Sequence, residues 1–276
     1  MVESVKELWK ICYEKRYVYR AWYNKYVSKV SIYVTWLLLH TPVTPDFVTI
    51  CELFLVILAS IFLFIGKLEY VFIGLLIIQF TNLLDCVDGE LARYKKIQSL
   101  VGMHLEDIYH QLVSHLMFFP LAFGIFTQTS WKSVLIFGFI CSIFSTSIVI
   151  PTILSTIFES KLYNISKSNY LKKKTDKKIK NRHINLQGSK LGKKLSDIYD
   201  KFKDFWSAPT NILHLTIISI IELVNMLYQF LPNYTIFYWY LAAYATVAIL
   251  TQTISFIVNY RGRAVEQYYK SLFVHK

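Results

Sequence analysis

Cysteine is scarce in this sequence, and the four present (Cys12, Cys51, Cys86 and Cys141) stand far apart. With no CxxC spacing, neither a zinc site nor a disulfide framework is supported. Also missing is an apolar stretch at the N-terminus. Lys6, Lys10, Lys15, Arg16 and Arg20 fall there instead, so no cleavable signal peptide is expected. No internal repeat is visible. Charge is thin and lopsided, with 18 Asp and Glu against 30 Lys and Arg in 276 residues. Apolar residues fill the space: 54% are hydrophobic, 17% are aromatic and the mean hydropathy is +0.39. Such a composition is not that of a soluble domain, and its Tyr, Phe and Trp suit interfacial belts at a membrane.

Crossing about 30 Å of hydrocarbon takes roughly 20 residues of apolar helix. Six runs qualify: 47–65, 70–91, 105–126, 131–158, 208–230 and 235–260. The short breaks 66–69, 127–130 and 231–234 suit tight hairpins between antiparallel helices. The expected fold is therefore all-α and integral to the membrane, with six transmembrane helices. Ahead of them, residues 1–40 mix basic and aromatic side chains and read as an amphipathic helix on the membrane surface. This divides the chain into a juxtamembrane segment (1–45), a membrane domain (46–260) and a tail (261–276). With the N-terminus cytosolic, 28 of the 30 Lys and Arg lie on one face, and the other receives Lys67 and Lys132. That asymmetry places both termini and the polar loops in the cytosol. The basic linker 160–206 reads first as a solvated loop beside anionic headgroups, and second as a binder of anionic substrate. Topology already explains its charge, so nucleic acid is not an expected partner.

Acidic residues at a membrane boundary invite a functional reading. Between Asn82 and His110 the chain carries Asp85, Asp88, Glu90, Glu106 and Asp107. Asp85 and Asp88, three apart, share a face of the second span; Glu106 and His110, four apart, share a face of the third. The hairpin then brings three carboxylates and an imidazole together. So many like charges require cations. Oxygen ligands suit Mg²⁺, Ca²⁺ or Mn²⁺, and the imidazole favours Mn²⁺ or another transition metal. Gly89 and Ala92 leave room for a ligand near the backbone, Gly102 permits close approach of the next helix, and Arg93 can grip a phosphate oxygen.

The run Asp85-Cys86-Val87-Asp88-Gly89-Glu90-Leu91-Ala92-Arg93, followed after eight residues by Gly102, resembles the signature of the CDP-alcohol phosphotransferase family, D-x2-D-G-x2-A-R-x8-G-x3-D-x3-D. Its first six fixed positions are present at the family's spacing. Thr44, Pro45 and Thr49 loosely resemble the T-P-N-x-x-T element of the same enzymes. The resemblance implies transfer of a phosphoryl-alcohol or phosphatidyl group from a CDP-linked donor to an acceptor hydroxyl, with release of CMP, as in phospholipid biosynthesis. It implies two divalent ions, Mg²⁺ or Mn²⁺, at least one membrane-lipid substrate and a homodimer. By position, Asp85 and Asp88 are metal ligands, and with Gly89, Ala92, Arg93 and Gly102 they line the nucleotide and phosphate site. Glu106 and His110 depart from the signature, standing where its third and fourth Asp belong. Glu106 keeps a carboxylate on a longer arm and is expected, with His110, to serve as a catalytic residue and metal ligand. His110 takes the place of base and ligand, and an imidazole can serve as either.

A prenyltransferase also binds pyrophosphate through acids and metal, but it needs two separate acidic motifs, and here there is one hairpin. A non-catalytic paralogue that retains only nucleotide or metal binding is the third reading. Several other residues have plain explanations. His104 reads as an interfacial histidine and His115 as a packed one. Glu222, with Asn225 one turn on, reads first as a structural pair inside the fifth span, and Asn82 as a support for Asp85. Arg261 and Arg263 suit either cytosolic anchoring or contact with an acceptor phosphate, and Pro120 and Pro151 suit kinks.

Overall fold

Thr44 and Gly66 bracket the first long helix. The Thr44 hydroxyl accepts the Phe47 N–H at 3.3 Å, Pro45 presets the first turn, and Gly66 closes the far end at φ 78°, in the left-handed region that favours glycine. The computed structural model describes residues 3–13, 22–97, 99–145 and 205–261, with side chains to residue 253. Among these it has eight helices and no strand: α1 (Val5–Tyr13), α2 (Trp22–Leu38), α3 (Pro45–Ile65), α4 (Leu68–Lys95), α5 (Leu100–Thr129), α6 (Lys132–Phe144), α7 (Ala208–Tyr228) and α8 (Thr235–Arg261).

Four of them, α3, α4, α5 and α7, are long and apolar enough to cross a membrane, and α6 is a shorter apolar helix. The all-α membrane class read from the sequence therefore holds. Most of the basic linker, Pro151, Arg263 and the side chain of Arg261 lie outside the described residues.

The helices run further into the turns than hydropathy marks. Gly66 and Lys67 alone separate α3 from α4, and α4 continues to Lys95, whose successor Lys96 caps it at φ 54°. Ser99 then starts α5 by accepting the Gly102 N–H at 2.7 Å. Hydropathy ends a span where charge begins. The backbone continues because Glu, Leu, Ala, Arg and Lys are good helix formers whatever their polarity. As a result, the whole acidic motif of α4 is helical.

The core joins α3, α4, α5, α6, α7 and α8 through residues such as Leu63, Leu75, Phe118, Leu121, Leu215 and Phe237. α3 packs along both α4 and α5, and small residues set the approach. A Cβ at Gly66 would collide with the backbone of Gly124, and a Cβ at Gly138 with the methyl group of Ala122. Close helix approach at small residues is the usual packing solution in lipid. Phe54, Ile57 and Ile61 of α3 and Val224 and Leu227 of α7 face outward, as lipid-contacting residues would. α1 and α2 pack on the C-terminal half of α4, where Leu8, Cys12, Tyr13 and Ile32 form a second small core with Tyr94.

Candidate active site at the α4–α5 hairpin

The two helix ends carry the acids to one place. Asp85 projects from α4, and Glu106 and His110 from the second and third turns of α5. One ligand atom from each lies within 4.8 Å of the other two. His110 Nε2 is 3.3 Å from Asp85 Oδ1 and 3.8 Å from Glu106 Oε1. Glu106 and His110 are about half exposed, so this group opens to the outside of the protein. Two carboxylates and an imidazole at that spacing are a donor set suited to a divalent ion.

Asp88 lies on the inner side, 6% exposed, and accepts a 2.7 Å hydrogen bond from the Thr49 hydroxyl of α3. Arg93, two turns beyond Asp85, sets its guanidinium 5.7 Å from the centre of the Tyr13 ring. Its Nε and Nη2 are buried and have no hydrogen-bond partner among the described residues. Gly89 gives this guanidinium its space, since a Cβ there would stand 3.0 Å from Nη1. Gly102 works differently: a Cβ would run into the Asp46 carboxylate, which accepts a 3.0 Å hydrogen bond from Ser99. Gly102 thus lets the start of α5 sit against the start of α3. Ala92 is half-buried, and its carbonyl accepts the N–H that caps α4. Asp107 is not part of the compact group.

Among the described residues three glutamates are fully buried, and two of them have full sets of donors. Glu90 accepts hydroxyls from Tyr13, Ser31 and Thr35, the last at 2.5 Å, and so fastens α1 and α2 to the motif helix. Glu222 accepts the backbone N–H of Tyr234 at 2.9 Å and of Ile236 at 2.7 Å at the entry to α8, while Asn225 bridges to Leu231. Tyr234 in turn donates to the Gly66 carbonyl, so this pair is structural and belongs to the end of the bundle away from the acids.

Glu52 is the third. It lies on α3 one turn after Thr49, and the charges of Asp88, Asp85 and Glu106 act on its carboxyl group. Neither carboxylate oxygen has a hydrogen-bond partner among the described residues. The sequence reading passes over Glu52, although an acid within an apolar run, three residues after Thr49, is a visible signal. Asn82 is buried and pairs with Tyr23 of α2. Nδ1 of His104 is buried without a partner among the described residues, and His115 pairs with the Gln111 carbonyl at 2.6 Å.

Comparison with curated proteins gives no match. A family comparison does: the sequence model for CDP-alcohol phosphatidyltransferases matches residues 42–180, half of the chain. The matched stretch runs from the Thr44 cap through Glu52 and both helices of the acidic hairpin. Sequence match and site therefore coincide, and the chain belongs to the CDP-alcohol phosphatidyltransferase family.

Proposed function

We propose that the protein is a metal-dependent membrane phosphotransferase of lipid biosynthesis. It moves a phosphoryl-alcohol or phosphatidyl group from a CDP-linked donor to an acceptor hydroxyl, at least one of the two being a membrane lipid, and releases CMP. The observation that carries this reading is the convergence of Asp85, Glu106 and His110 beside Asp88, within the segment that matches the family.

The residues divide by position. Asp85, Asp88 and Glu106 hold the cations. Mg²⁺ or Mn²⁺ bound there would neutralise the donor pyrophosphate and the charge that develops on the departing CMP. Arg93 grips a phosphate oxygen with the guanidinium nitrogens that have no partner among the described residues. Gly89, Ala92 and Gly102 keep the backbone approachable along the same stretch.

His110 sits at the open side of the group, where an acceptor would arrive, and its imidazole takes the proton from the attacking hydroxyl. Asp85, 3.3 Å away, stabilises the imidazolium that results. The new bond joins the acceptor oxygen to the donor-side phosphorus. The pyrophosphate P–O bond breaks, and CMP leaves with those electrons. The excess of Lys and Arg on one face supports a site on the cytosolic side.

The test is CMP release by the purified full chain from labelled CDP-alcohols and CDP-lipids with Mn²⁺ or Mg²⁺. Release that needs the cation and disappears in Asp88→Ala is expected. Absence of release from every CDP-linked donor, with either ion, would remove this reading.

A further inference from the structure

The three fully buried glutamates provide their own comparison. A buried carboxylate without compensation is strongly disfavoured. Glu90 is compensated by three hydroxyls and Glu222 by two backbone N–H groups, as expected of acids whose work is structural. Glu52 is equally buried, yet neither of its oxygens meets a donor among the described residues.

Its neighbours make the imbalance worse. Thr49, one turn earlier on the same face of α3, reaches Asp88, so Glu52 is directed at the Asp88 side of the acidic group. Asp88, Asp85 and Glu106 all act on it electrostatically. Ionised there, Glu52 would add negative charge to a site already rich in it. A cation within reach of the Glu52 oxygens would relieve this.

The departure at His110 points the same way. The family signature places an acid at that position, and here it is an imidazole. With His110 reserved for the proton, α4 and α5 supply three carboxylates to the cations. Asp88 has already committed Oδ2 to Thr49.

We propose that Glu52 of α3 is the fourth carboxylate of the cation site, holding a divalent ion together with Asp88 from the buried side. This rests on the phosphotransferase reading, and it makes α3 a contributor to the site through a ligand as well as through packing. A site built on three helices would also tie cation binding to the α3–α4–α5 arrangement.

The experiment counts Mn²⁺ bound to the detergent-purified full chain from the loss of the free-ion EPR signal, for wild type, Glu52→Gln, Glu52→Asp and Asp85→Asn. Glu52→Gln keeps the shape and removes the charge. It is expected to lose one ion, or to bind it at least about tenfold more weakly. Glu52→Asp, which keeps the charge on a shorter arm, is expected to fall between Glu52→Gln and wild type. Asp85→Asn should weaken the ion on the open side. Wild-type affinity and stoichiometry in Glu52→Gln would overturn the role of Glu52. If wild type still binds Mn²⁺ and releases CMP, the phosphotransferase reading stands without it. A wild-type chain that binds no Mn²⁺ would sink both. Should Glu52→Gln fail to elute as a single species, Glu52→Asp decides, and unchanged binding there counts against the proposal.

Discussion

The hydroxyl of Thr49 on α3 holds Oδ2 of Asp88 on α4 at 2.7 Å, so an acid of the motif is oriented by a residue 39 positions earlier in the chain. This bond joins the capped start of α3 to the acidic hairpin. Removing it frees Asp88 to rotate while leaving its charge in place.

Thr49→Val tests that relationship. Hydrogen bonds to charged groups contribute about 1.5–3 kcal/mol, which becomes about a 10- to 100-fold fall in CMP release if fully felt in the transition state. Thr49→Ser keeps the donor and should stay near wild type. Equal rates for Thr49→Val and wild type would show that Asp88 needs no such restraint.

His110 offers a separable prediction. A base removed at the open side should cost about 10²- to 10⁴-fold in turnover. His110→Ala is therefore expected to lose activity in that range while Mn²⁺ affinity changes by less than about tenfold. Parallel loss of ion binding and activity would reassign His110 as a ligand.

Glu90 is held by three hydroxyls, and its variants are expected to act on stability. Glu90→Ala strands three hydroxyl donors, each at about 1–3 kcal/mol when left unmet. The melting temperature should fall, and trypsin should cut faster at Lys6 and Lys10 in α1, since that helix loses its Tyr13 tie. An unchanged cleavage rate would mean that α1 is held by its apolar contacts alone.

Glu222→Ala should likewise destabilise, by about 1–3 kcal/mol for each backbone N–H it leaves unmet at the entry to α8. The KM for the CDP-linked donor should be unchanged in the folded fraction. A raised KM with wild-type stability would instead place Glu222 in the substrate site.

Much of this was legible from the residues in order. Long apolar runs mark α3, α4, α5 and α7 because lipid demands apolar length, and length can be counted along a sequence. Asp85, Glu106 and His110 were equally readable, since helical spacing and one hairpin suffice to bring them together. Helix ends were less legible: α4 carries its motif through to Lys95 because helix propensity ignores the polarity at which a hydropathy reading stops.

The acidic hairpin was thus determined by the sequence itself, through periodicity and spacing that act over a few turns. The sorting of the buried glutamates was decided only in three dimensions. Glu52, Glu90 and Glu222 are the same residue type in comparably buried helices. What separates them is what arrives from elsewhere: the donors Tyr13, Ser31 and Thr35 at Glu90, the donors Tyr234 and Ile236 at Glu222, and in place of donors the acids of α4 and α5 near Glu52. Local pattern cannot report a partner set by helix packing across tens of residues. The role of a buried charge depends on that partner.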